Sequence, residues 1–195
     1  MLAELDPNVT AVAAQPVTMW IDLDGDLFKA TPDFAVLVNG KGEIHEGKAD
    51  RAYAKTKVRR RLAATARHVE GSGWKYNVAI TGDILNDPRF ERVQDVWRRF
   101  RPNFDRLHEI AVIDAVGTAE VSIADTLHRL RSSMGADAPT FEQILSLAAN
   151  KRVFIDYEAP IGPASINRYP DPAALPRSLL PRRHPASDLQ PGEAI

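Results

Sequence analysis

Pro32-Asp33-Phe34-Ala35-Val36-Leu37-Val38-Asn39-Gly40-Lys41-Gly42-Glu43-Ile44-His45-Glu46-Gly47-Lys48 reads as two strands folded about a tight turn. Asp33 to Val38 is an apolar run behind a proline, and Glu43 to Lys48 is its return. Asn39-Gly40 tolerates positive φ at both central positions of a type I′ turn, the turn whose twist suits a hairpin. Two registers satisfy this reading. If Asn39 and Gly40 alone make the turn, Val38 pairs with Lys41 and Asp33 lies opposite Glu46. If the loop runs from Asn39 to Gly42, Asp33 lies opposite Lys48. Side chains alternate along a strand, so Glu46 and Lys48 share a side in either case.

Cross-strand Cβ atoms sit about 5 Å apart, near enough for two carboxylates to share one cation. A hard cation such as Mg²⁺, with Mn²⁺ as its substitute, takes oxygen ligands and keeps several waters. Beside a phosphodiester it polarises phosphorus and lowers the pKa of its water. A lysine on the same patch orients the nucleophile or steadies charge on the phosphorane. Gly47 leaves the backbone open, and its carbonyl is within reach of the metal. The candidates are therefore Asp33, Glu46 and Lys48 for catalysis, and Asp33, Glu46 and Gly47 for metal. The competing reading is a strand with solvated polar residues, since short motifs recur by accident.

Outward from the hairpin, Val17 to Ile21 is expected as a strand leading into an acidic turn, Asp22 to Asp26. Arg51 to Val69 has helical periodicity, with Val58, Leu62, Thr65, Ala66 and Val69 on one face and Gly71 and Gly73 behind it. Tyr76 to Thr81 is expected as an alternating strand. Asp87-Pro88 has the build of a helix start. The following stripe of Phe90, Val93, Trp97 and Phe100 is expected in the core, with Arg98, Arg99 and Arg101 at the surface. A second unit is expected from Leu107. Ser122 to Asp125 and Thr140 to Gln143 both have capping-box spacing before apolar-periodic stretches. Val153 to Tyr157 follows as a strand, so residues 107–169 suggest a helix-turn-helix or winged-helix-like module. Residues 170–195 are rich in proline and lack aromatics, and disorder is expected there.

Arg51, Lys55, Lys57, Arg59, Arg60 and Arg61 fall close together with no acid among them. Lys55, Lys57, Arg59, Arg60 and Arg61 are candidate DNA-backbone contacts, each neutralised phosphate releasing counterions; the alternative is a solvated helix face. Trp20 to Asp26 also resembles the first motif of HAD-type phosphatases. However, Asp26 stands where threonine is expected, and an Asn-Gly hairpin follows instead of a helix. None of His45, His68, His108, His128 and His184 forms a close pair suited to zinc, and His45 points away from Glu46.

The chain has 195 residues, enough for a real core in one domain or one plus a small module. Its net charge of −1 offers no global attraction to nucleic acid, so any such contact must be local. With no cysteine, disulfides, thiolate metal sites and a cysteine nucleophile are excluded. No apolar run approaches a membrane span, and Met1-Leu2-Ala3-Glu4 lacks the build of a secretory signal, so neither is expected.

Asp6-Pro7-Asn8-Val9, Gln15-Pro16-Val17, Thr31-Pro32-Asp33-Phe34, Glu46-Gly47-Lys48-Ala49-Asp50, Ile80-Thr81-Gly82-Asp83-Ile84 and Trp97-Arg98-Arg99-Phe100 follow one another in an order that resembles the TnsA-type transposon endonucleases. These are a branch of the PD-(D/E)xK nuclease superfamily, and the likeness covers residues 6–102. It implies an α/β fold, a mixed α+β sheet in a restriction-endonuclease-like core over residues 1–106, with a small helical or winged-helix-like interaction domain behind it. It implies Asp33 and Glu46 as metal ligands and Lys48 as the catalytic lysine. It also implies Mg²⁺, double-stranded DNA, a transposase or transposition-regulator partner, and a bacterial cytoplasmic setting. Family members carry a further metal-site glutamate on a helix before the Asp-Pro segment; here Glu4 is the nearby acid, too close to Asp6 to match. Three alternatives stay open: a start further upstream, a reduced site, or a non-cutting DNA- or partner-binding accessory.

Overall fold

The computed structural model describes residues 1–100, 105–169 and 178–181. The chain forms two compact units: one is built on Asn8–Asp87, the other on Met1–Pro7 with Pro88–Leu179. The division thus falls at Asp87, ahead of Leu107, and the first seven residues join the C-terminal unit. The disorder expected from residue 170 onward lies outside the described residues, apart from 178–181.

After one turn of helix, α1 (Leu2–Leu5), the sheet unit opens with β1 (Val9–Ala14). β2 (Met19–Leu23) and β3 (Asp26–Ala30) form their own two-stranded sheet. The main sheet adds β4 (Phe34–Val38) and β5 (Lys41–Lys48). Next come α2 (Asp50–Tyr53), α3 (Thr56–Gly71), β6 (Lys75–Ile80) and α4 (Thr81–Leu85). The main sheet runs β1-β4-β5-β6; β1, β4 and β5 are antiparallel, and β6 is parallel to β5. Parallel neighbours need a long crossover, which the α2–α3 segment supplies.

Asn39 and Gly40 have φ of 50° and 76°, and Val38 faces Lys41. The two-residue register is therefore the one adopted. The ladder's last pair is Phe34 with His45; continuing the count puts Asp33 level with Glu46, whose carboxyl is hydrogen-bonded by the Asp33 peptide.

Leu62, Ala63, Ala66 and Val69 of α3 pack on Ala35, Ile44, Tyr76 and Val78 of the sheet. The alanines let the helix lie close against the strands. The helix expected over residues 51–69 is broken: Ala54 closes α2 and Lys55 is extended before α3 begins. β6 does not alternate in burial, since Tyr76 to Ile80 are all buried, as a strand covered on both faces requires. The acidic stretch is the β2–β3 turn, with Asp24 and Gly25 at φ of 58° and 88° and the Gly25 N–H donating to Asp22 Oδ1 at 3.1 Å.

The other unit contains α5 (Arg89–Trp97), α6 (Arg106–Val116), β7 (Val121–Ser122), α7 (Ile123–Met134), α8 (Phe141–Ala149), β8 (Phe154–Ile155) and β9 (Ile166–Arg168). Its antiparallel sheet has the order β7-β9-β8. Both expected caps form: Ser122 accepts from the Asp125 N–H, and Thr140 with Gln143 closes a full capping box. The core joins Leu5 of α1 to Val93 and Val96, Ile123 and Leu130, and Ile144, Leu145 and Leu147. The expected aromatic stripe on α5 is only partly buried. Trp97 and Phe100 are 42% and 49% exposed, and Val96 takes the core position. The Trp97 indole N–H donates to Glu4 at 3.0 Å, which gives its polar edge a reason to stay at the surface.

Candidate functional site

The carboxylates and the lysine meet at the open end of the β4–β5 hairpin. Asp33 is exposed at the mouth of β4, and its Oδ2 accepts the Gly47 N–H at 2.6 Å. Gly47 thus meets Asp33 through its N–H. Glu46 and Lys48 lie two residues apart on β5 and form an ion pair, with side-chain exposures of 14% and 26%. Burial pushes the Glu46 carboxyl above its ordinary range, and the negative charge of Asp33 adds to this. Lys48 and the Asp33 peptide pull the other way. The half-buried Glu46 carboxylate thus has one ammonium, Lys48, against the burial and the neighbouring Asp33 charge that raise its cost of ionisation.

Strand alternation puts Glu46 and Lys48 on the α3 side of the sheet, with Tyr76 on the neighbouring strand. There they line a cavity of about 270 Å³ with Thr31, Phe28, Arg61 and Thr65. Tyr76 is buried, and desolvation followed by the charges of Glu46 and Asp33 drives its hydroxyl pKa upward, so it is a neutral donor. Sequence reasoning missed Tyr76 because nothing in Lys75 to Ile80 marks one apolar-looking residue as facing a carboxylate.

The basic run divides by role. Lys55 and Lys57 are exposed at the start of α3. Arg59 is half-buried, and its Nε has no hydrogen-bond partner among the described residues. Arg60 is paired with Asp24 at the tip of the β2–β3 hairpin, and the Arg61 guanidinium sits over the Phe28 ring at 5.1 Å. The hairpin therefore holds two of the five candidate cations in place. A cation over an aromatic face within about 6 Å is a favourable contact.

On the opposite face of the sheet, His45 Nε2 lies 3.2 Å from Glu43 Oε2, and the Asn77 amide donates to the same oxygen at 3.1 Å. His45 also stacks on Phe34. This buried polar group stands apart from the carboxylate pair, as the strand period requires. Glu4 is held by the terminal amine at 2.7 Å and by Trp97, which keeps its carboxyl below the usual range. Asp50 accepts the Gly82 N–H at 3.1 Å and so ties the end of β5 to α4.

Among the described residues, no three of His, Asp or Glu come together in a way that could hold a metal ion. Asp33 and Glu46 stand as a pair, the number that Mg²⁺ uses when substrate phosphate and water complete its shell. Among the described residues, no helix is long and apolar enough to cross a membrane. No family model matches the chain, and no curated protein matches it.

Proposed function

We propose that the sheet unit is a metal-dependent endonuclease of the PD-(D/E)xK kind, acting on double-stranded DNA. The observation that carries this reading is the hairpin register, which continued one step sets Asp33 beside Glu46, itself ion-paired with Lys48 along β5 at a cavity also lined by Arg61. The antiparallel hairpin, parallel β6 and crossover helix α3 suit a restriction-endonuclease-like core. In the other unit, the order α6-β7-α7-α8-β8-β9 with a β7-β9-β8 sheet suits a winged-helix-like module. Ile144 to Ala149 of α8 are all buried in that unit, so these residues are taken up by packing and not by base reading. The TnsA-type resemblance adds a setting: cleavage at transposon ends beside a transposase.

Asp33 and Glu46 are the residues that would hold a divalent cation, which when bound supplies Lewis acidity toward the phosphate. Lys48, which pairs with Glu46, would serve a phosphate oxygen as charge develops there once a bound cation had taken over the Glu46 charge. Arg61 adds a second fixed positive charge at the same cavity. Tyr76, held neutral, lines the same cavity and keeps its floor free of further negative charge. Water oxygen joins phosphorus in line as the opposite P–O ester bond breaks, and the departing oxygen takes a proton.

With the transposase supplied and duplex DNA carrying transposon ends as substrate, Asp33→Ala and Lys48→Ala should each lower cleavage by about 10²-fold or more. Cutting at the wild-type rate by both variants refutes the assignment. The pairing of Glu46 by Lys48, and the lack of a third acid at the site among the described residues, favour one second reading: a non-cutting DNA- or partner-binding accessory. Calorimetry that finds no Mg²⁺ or Mn²⁺ binding, with DNA binding retained, selects it.

A further inference from the structure

Beneath the β2–β3 hairpin lies a second cavity of about 360 Å³, bounded by the hairpin tip and by Lys57, Arg60 and Arg61 of α3. It shares Phe28 and Arg61 with the cavity that holds Glu46 and Lys48. Residues 57, 60 and 61 are three and four apart, so the helix presents all three cations on one face. The opposing charges are Asp24 and Asp26. Asp24 is bonded to Arg60, and both partners are largely exposed, at 66% and 49%. An exposed ion pair of this kind contributes little and exchanges readily. Its carboxylate oxygen occupies the place an anionic phosphate oxygen would take on the guanidinium, which binds either group in the same forked geometry.

We propose that this cavity is a second phosphate subsite, taking the phosphodiester next to the one at Glu46 and Lys48, with Asp24 as the resident group that the phosphate displaces. The proposal rests on the nucleic-acid reading of the carboxylate site. Arg61 faces both cavities and is held over Phe28, so it is a positioning residue that fixes the strand between the two phosphates. A strand bound this way runs between the hairpin and α3.

The test is the binding of a fluorescein-labelled DNA duplex by the full chain, read by anisotropy over a series of salt concentrations without divalent metal. Lys57→Ala and Arg60→Ala should each weaken binding several-fold and lower the slope of log K against log salt by about one. Asp24→Asn should strengthen binding, and Arg60→Ala should cancel that gain. All three positions are exposed, and unchanged circular dichroism checks that the variants fold. Wild-type affinity and salt slope in both Lys57→Ala and Arg60→Ala, weaker binding by Asp24→Asn, or no duplex binding by the wild-type chain overturns the subsite. If Asp33→Ala and Lys48→Ala cut normally while Arg60→Ala loses affinity, the active-site reading falls and the subsite stands. If they stop cutting while Arg60→Ala binds and cuts as wild type, the reverse holds.

Discussion

Glu46 is pulled in two directions: burial and Asp33 favour its protonated form, and Lys48 favours the charged one. The upward pull wins. A carboxyl whose folded pKa lies above its unfolded value binds more protons folded than unfolded between the two, so stability falls as pH rises through that window. The window opens near the ordinary value of 4.5 and extends upward. Glu46→Gln removes this titration. The variant should gain stability relative to wild type as pH rises from 4 to 7, read from urea midpoints at each pH. Divalent cation should stabilise the wild type against heat and do less for the variant. The two glycines around the site differ. A Cβ at Gly47 meets Asp33 Oδ2 at 3.4 Å, an ordinary contact, whereas one at Gly82 meets Asp50 Oδ1 at 2.6 Å. Gly47→Ala should therefore change stability by about 0.5 kcal/mol or less. Gly82→Ala should cost more by displacing Asp50, as denaturant unfolding of both would show.

The elements that could be read from the sequence are those whose signals are local. Asn39-Gly40 is a hairpin turn because only small or amide-bearing residues accept the left-handed conformation cheaply. Gly40 has open space around its missing Cβ, so Gly40→Ala tests backbone strain alone. At φ +76° it should cost about 1–2 kcal/mol by urea unfolding. Thr140 is a second local signal, and Thr140→Ala should cost about 1 kcal/mol through its lost cap. β1, β3, β7 and β9 carry no such local signal. β1 is Val-Thr-Ala-Val-Ala-Ala, exposed from Thr10 onward, and becomes a strand because β4 offers it a ladder. β3 and β9 likewise depend on partners rather than on alternation of their own.

Across the whole molecule, the chain's opening residues are the least predictable part. The resemblance places Asp6-Pro7 at the head of the nuclease segment, yet Asp6 is fully buried in the other unit. Its Oδ2 accepts from Ser178 Oγ and from the Leu179 N–H, and its carbonyl accepts the Lys151 ammonium at 2.9 Å. Leu5 joins the same core as Ile144 and Leu145. Leu5→Ala should therefore cost about 2–4 kcal/mol by the usual cavity effect. The loss should appear in hydrogen exchange of α5 and α8 before that of α3.

The sequence alone determined the hairpin turn and the caps of α7 and α8. Asn-Gly, Ser-x-x-Asp and Thr-x-x-Gln act through bonds within a few residues, and a period of two puts Glu46 and Lys48 on one side, while the structure chose the register that begins with Val38 opposite Lys41. Only the tertiary structure decided which cations are already engaged, since Asp24 and Phe28 meet Arg60 and Arg61 through the docking of one hairpin on one helix. It also decided that Glu46 is desolvated and that α1 belongs to the C-terminal core. Burial and long-range pairing depend on what packs where, and no local pattern encodes them.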